Sequence, residues 1–138
     1  MNDVVLGKAD IIERALARAT RTWERHVDDL ETDFDAQDVI LVNLQRACEA
    51  SIDLAMHAVL LRELGLPKDS RDAFSLLEQA GLLSGQLAGR MKKMVGFRNV
   101  AVHDYRAIDW AVVRSILKND LLEVREFSAH MVRTFGAD

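Results

Sequence analysis

Apolar residues recur at spacings of three and four along most of this 138-residue chain. That is the period of an amphipathic helix, not the period of two that a half-buried strand requires. From about Asp3 to Leu30 the apolar positions are Val4, Val5, Ile11, Ile12, Ala15, Leu16, Ala19, Trp23, Val27 and Leu30, which predicts one long helix. Glu31-Thr-Asp-Phe-Asp35 breaks the pattern and offers capping groups for the next element. From about Ala36 to Leu64 a second long helix carries Val39, Ile40, Leu44, Ala47, Ile52, Leu54, Ala55, Ala58, Val59 and Leu61. Gly65 and then Pro67 end it. The short connection makes these two helices antiparallel neighbours.

Lys68-Asp-Ser70 reads as a loop and cap before a short helix from Arg71 to Ala80, stopped by Gly81. Ser84 is placed to cap a helix running through Leu87, Met91 and Met94, which Gly96 interrupts at a cost in helix stability. Whether that helix goes on beyond Gly96 is left open by the pattern. Asp109 is an N-cap for one last helix with Trp110, Val113, Ile116, Leu117, Leu121, Val124, Phe127 and Met131 on its apolar face. The expected fold class is therefore all-α: an antiparallel four-helix bundle with an additional short helix, in a single domain over residues 1–138.

Composition narrows the function classes. With 49% apolar and 29% charged residues and one Pro, the chain reads as a soluble helical globule long enough to bury a core without staples. Cys48 is the single cysteine, so no internal disulfide forms and a reducing cytoplasm is expected. No run is apolar enough for a bilayer and the N-terminus lacks a signal layout, so no membrane partner is expected. Zinc held by thiolates is excluded, the four His are scattered, and no metal site or cofactor is expected. A Gly-rich phosphate loop and a nucleophilic Ser or Cys arrangement are both missing.

Net charge is −4, which argues against a general nucleic-acid coat, but its distribution is uneven. Arg90 to Lys118 holds seven cations against Asp104 and Asp109, +5 locally, leaving −9 elsewhere. Inside that stretch Arg98-Asn99-Val100-Ala101-Val102-His103-Asp104-Tyr105 puts an Arg, an amide, a His and the only Tyr within eight residues. An Arg offers a fork of donors that matches a phosphate, and a His moves a proton near neutral pH. The pair suggests phosphoester chemistry. Helical geometry puts Asn99 and His103 on one face but Arg98 and His103 about 140° apart, a gap that unwinding near Ala101 or a second copy of the motif would close.

The octet resembles the Arg-x4-His signature of the HEPN superfamily and, with Tyr two residues after the His, that of its HepT toxin branch. The match falls on Arg98, His103 and Tyr105, with Asn99 as the polar residue that often follows the Arg. The resemblance implies a metal-independent endoribonuclease that is a toxin, acting on RNA as a homodimer with a cleft shared at the two-fold axis. It implies His103 as general acid or base, Arg98 as phosphate holder and transition-state stabiliser, and Asn99 as an orienting residue. It also implies a cognate minimal nucleotidyltransferase antitoxin, MntA-like, that attaches AMP to an exposed Tyr105. A rival use of the same bundle is a non-catalytic module that binds nucleotide or substrate for a nucleotidyltransferase, and a plain helical interaction protein is the third possibility.

Other candidates have simpler readings. Glu49 and Asp53 lie four apart on one helix face, with His57 one turn further on; a solvated or salt-bridged face accounts for them, though they could position the catalytic groups. Trp23 and Trp110 fall on apolar stripes and are expected in the core or a dimer interface, and Met91 and Met94 in packing.

Overall fold

Helices begin where a short polar side chain can accept the first unpaired backbone amides. The computed structural model describes the whole chain, Met1–Asp138, apart from the side chain of Tyr105. Among the described residues it holds six α-helices and no strand: α1 (Asp3–Arg25), α2 (Phe34–Leu61), α3 (Ser70–Gln79), α4 (Gly85–His103), α5 (Trp110–Asn119) and α6 (Leu121–Phe135). Asn2 caps α1, Asp33 α2, Asp69 α3, Ser84 α4 and Asp109 α5, each through its side-chain oxygen. The expected caps at Ser84 and Asp109 are among them.

Contacts between distant residues fix the directions. Asn2 bonds the carbonyl of Gly136 through its amide and His57 through its side chain, so α1 begins beside the ends of α2 and α6. Arg62 after α2 reaches Asp138 at 3.1 Å and lies over the Phe135 ring. Leu82 accepts from His130, and Arg90 pairs with Asp120 and Glu123, so α4 runs opposite to α6. The layout is the expected antiparallel four-helix bundle, made by α1, α2, α4 and the α5–α6 unit, with α3 as the short extra helix. Its core is one apolar cluster that includes Ile12, Leu16, Ile40, Leu44, Leu54 and Met91. Phe74 of α3 meets Phe127 of α6 edge to face at 5.6 Å between centroids and fastens the short helix to the bundle.

Four expectations need correction. The first helix stops at Arg25, not near Leu30: His26 caps it and its ring faces Asp29 and Asp33, so two polar groups take the chain into a turn. Leu30 is still fully buried, packed inward from that turn, which is why periodicity counted it as helical. The last helix is two, broken at Asp120. The apolar stripe stays in phase across the break, so the pattern hides it; Arg90 holds the Asp120 carboxylate at 2.9 Å. Gly96 does not interrupt α4, which runs unbroken to His103. A Cβ at Gly96 would lie 2.8 Å from Nη2 of Arg71, so this glycine admits a side chain from α3. The second helix also closes earlier than expected, at Leu61, with Gly65 at φ +113° in the loop that follows.

Arg114 fastens α5 to the α1–α2 turn. Its guanidinium grips Glu31 at 2.6 Å, donates to the Val27 carbonyl and lies over the Trp23 ring at 4.9 Å. The same guanidinium holds the Glu31 carboxyl below its ordinary pKa.

The bundle rests on its aromatic fastening. Phe127→Ala should cost about 3–5 kcal/mol of stability, as large core deletions do, read as a lower urea midpoint. An unchanged midpoint would contradict this account of how α3 is held.

Candidate active site

The octet occupies the last two turns of α4 and the turn after it. The helix is regular through Ala101, and the Asp104 amide still bonds the Val100 carbonyl at 2.9 Å. Unwinding there, one way to bring Arg98 to His103, does not occur. Helical phase therefore sends the two side chains to different sides of α4.

Arg98 points inward, with only 19% of its side chain exposed. One terminal nitrogen pairs with the Glu49 carboxylate of α2 at 3.0 Å, and the other donates to the Ser70 hydroxyl of α3 at 3.1 Å. Its Nε is buried with no hydrogen-bond partner. A guanidinium gripped at two corners has a fixed plane, and a buried donor left over is a standing demand for an acceptor. Glu49 is thus part of the site, through the salt-bridged reading given it from sequence. Asp53, its partner in spacing, goes elsewhere and binds Lys8 at 2.9 Å, while His57 holds Asn2.

His103 is exposed at the C-terminus of α4. Asn99, one turn before it, is half-buried. Among the described residues neither side chain is committed to a partner, so both are available to a ligand. Tyr105 opens a 3-10 turn, Tyr105–Ala107; the expectation that its hydroxyl is exposed lies outside the described residues.

Two cavities flank this end of α4. One, of about 190 Å³, is lined by Asp69, Ser70, Arg71, Val95, Arg98 and Asn99. The other, of about 370 Å³, opens between α4 and α5 and is mainly apolar, with Phe97, Val100, Ile108 and Val112 in its wall. Val100 and Val102 are 44% and 56% exposed beside the motif, which is costly for a surface in water and suited to a covered one.

The basic stretch is thinner than its count suggests. Arg90, Arg98 and Arg114 are each neutralised by carboxylates from other parts of the fold. Arg71, outside that stretch, joins the site instead. Ser70 and Arg71 were not picked out from sequence; the one signal was Gly96, whose missing Cβ implies a close neighbour without naming it. Trp23 is buried in the core and Trp110 packs partly buried against it, with Met91 and Met94, as expected. Among the described residues His26, Asp29 and Asp33 bring potential ligand atoms within 4.8 Å of one another, but this cluster caps the α1–α2 turn far along the chain from the octet.

Comparison with known proteins places this geometry in context. A family model described as ribonuclease HepT-like matches residues 12–131. The chain is 39% identical over 127 residues to the mRNA nuclease HepT of Shewanella oneidensis, covering 92% of this chain and 95% of that one. It is 24% identical over 133 residues to the tRNA nuclease HepT of Aphanizomenon flos-aquae, covering 94% and 90%. Among solved structures it superposes with a TM-score of 0.91 and 37% identity on the tri-AMPylated Shewanella oneidensis HEPN toxin in complex with MNT antitoxin, covering 96% of this chain and 99% of that one.

Directly behind the Arg98–Glu49 pair lies Cys48, whose thiol reaches toward the Met94 carbonyl at 3.6 Å. Burial pushes its pKa up to about 12, against a smaller opposing pull from Arg98. The folded thiol keeps its proton where the unfolded one releases it, so this group's contribution to stability declines as pH rises from about 9 toward 12. At pH 8 Cys48 should resist a thiol-specific disulfide reagent until the protein is unfolded by urea. Rapid labelling of the folded protein would contradict the packing described.

Proposed function

The chain belongs to the HepT-like ribonuclease family, and from that premise we propose that it is the RNA-cleaving toxin of a toxin–antitoxin pair, working in the cytoplasm as a homodimer. The observation that carries this reading is the split between Arg98 and His103. On an unbroken α4 one side chain is clamped inward and the other is exposed, without a partner among the described residues. One chain alone does not aim both at one phosphate. Two chains related by a two-fold axis offer two His and two Arg to a shared cleft. The exposed Val100 and Val102 supply apolar surface beside the motif for such a contact.

The chemistry follows from these groups. One His103 takes the proton of the RNA 2′-hydroxyl, and the 2′-oxygen attacks the adjacent phosphorus. The bond from phosphorus to the 5′-oxygen breaks, and the second His103 gives that oxygen its proton, leaving a 2′,3′-cyclic phosphate. Arg98, already fixed in orientation by Glu49 and Ser70, stabilises charge on the phosphoryl oxygens without reorganising. Asn99 shares the His103 face and orients the imidazole or donates to phosphate. Acid, base and cation are all side chains, so this route calls for no metal.

Control falls to a minimal nucleotidyltransferase antitoxin, MntA-like, that places AMP on Tyr105. Solved relatives are AMPylated toxin and toxin–antitoxin complexes, which supports this half of the proposal. Added nucleotide bulk and negative charge two residues from His103 would block the cleft and repel RNA.

Two outcomes are expected. The unmodified protein should cleave RNA in excess EDTA, and His103→Ala should be slower by roughly 10²–10⁴; equal cleavage by both would remove His103 from the mechanism. Incubation with the antitoxin and ATP should add AMP to the wild type but not to Tyr105→Phe, read by intact-mass spectrometry. AMP found on the Tyr105→Phe protein would move the modification elsewhere.

A further inference from the structure

We propose that Arg71 is a second phosphate-holding residue, binding an RNA phosphate next to the one that is cleaved. The inference deepens the ribonuclease reading and rests on it. The starting point is Gly96. A glycine in the middle of a nineteen-residue helix is unfavourable, and here the space its Cβ would fill is taken by Arg71 Nη2, 2.8 Å away. Arg71 is anchored across the helix by a long bond from its Nε to the Lys92 carbonyl at 3.4 Å. Among the described residues its guanidinium meets no carboxylate. It differs in this from Arg90, Arg98 and Arg114, which are all neutralised.

Position along α4 then decides what Arg71 would hold. Gly96 and His103 are seven residues apart, two turns, and so lie on one face of α4. Seven residues span roughly 10 Å of axis. That puts the guanidinium on the His103 side, one turn before Asn99, too far from His103 to share its scissile phosphate. Arg71, Arg98, Asn99 and Ser70 open on the same cavity of about 190 Å³. Asp69 also lines it, with one carboxylate oxygen already capping the Asp72 amide. Into that cavity faces a sequence-independent set of donors, suited to the phosphodiester backbone and not to a base edge. An exposed Arg that a missing Cβ allows to lie flat on the helix is a backbone rail leading to His103.

The test compares single-stranded RNA binding and cleavage across salt for the wild type, Arg71→Ala, Arg71→Lys and Gly96→Ala. Binding is read by fluorescence anisotropy of a labelled ten-nucleotide RNA, in a His103→Ala background so that the probe survives. Arg71→Ala should bind about tenfold more weakly, with a salt slope shallower by about 0.7, the value of one phosphate contact on a single strand. Arg71→Lys should keep the wild-type slope. Gly96→Ala favours the helix, so a weaker affinity there would come from the displaced guanidinium and not from misfolding. In cleavage with His103 present, Arg71→Ala should slow a ten-nucleotide RNA and spare a dinucleotide, which has only the scissile phosphate.

A slope unchanged in Arg71→Ala, in a protein that cleaves RNA, would overturn the inference and leave the ribonuclease reading standing. Arg71-dependent binding by a protein that never cleaves would do the reverse. Neither binding nor cleavage by the wild type would remove both.

Discussion

Everything at this end of the bundle depends on how Arg98 is held. A guanidinium is costly to bring into a helix bundle unless its charge is answered and most of its donors find acceptors. Glu49 of α2 answers the charge and Ser70 of α3 takes a donor, so one side chain of α4 is tied to two other helices. The arrangement fixes the orientation of a cation that a phosphate would meet, and leaves Nε unpaired as a remaining demand. It also keeps Arg98 away from the face that carries His103. The split between them comes from an α-helix that does not deform, and it is the reason the proposed mechanism draws on a second chain.

Charge around the motif follows the same logic. Part of the local excess of cations is structural: Arg90 fixes the α5–α6 break and Arg114 pins α5 to the α1–α2 turn. Cations spent in this way contribute little to attracting RNA, since their fields are cancelled at short range. Arg71, from the same helix as Ser70, is a cation whose guanidinium lies on the His103 side without a carboxylate among the described residues.

The fold was largely legible because apolar spacing reports helical faces directly, and Ser84 and Asp109 marked true helix starts. What periodicity could not register was a break that keeps phase, as at Asp120, or a buried residue reached from a turn, as at Leu30. Gly96 was misread for a related reason: helix propensity is local, and the cause of that glycine is a side chain from α3. Arg98, Asn99 and His103 could be found because their spacing is written along one helix. Glu49, Ser70 and Arg71 come from other helices, and only tertiary packing brings them to Arg98 and Asn99.

The central claim is that Arg98 of one chain works with His103 of the other. Its most direct test is to co-express Arg98→Ala and His103→Ala chains with different tags, purify the mixed dimer, and assay RNA cleavage in EDTA beside a dimer of one wild-type chain and one Arg98→Ala/His103→Ala chain. Both mixed dimers keep one Arg98 and one His103 and lack one of the two proton-transfer groups, but the pair lies on different chains in the first and on one chain in the second. The account predicts that the first cleaves RNA well above the second. Dimers confirmed by native mass spectrometry, with the second as active as the first, would contradict a site built from Arg98 of one chain and His103 of the other.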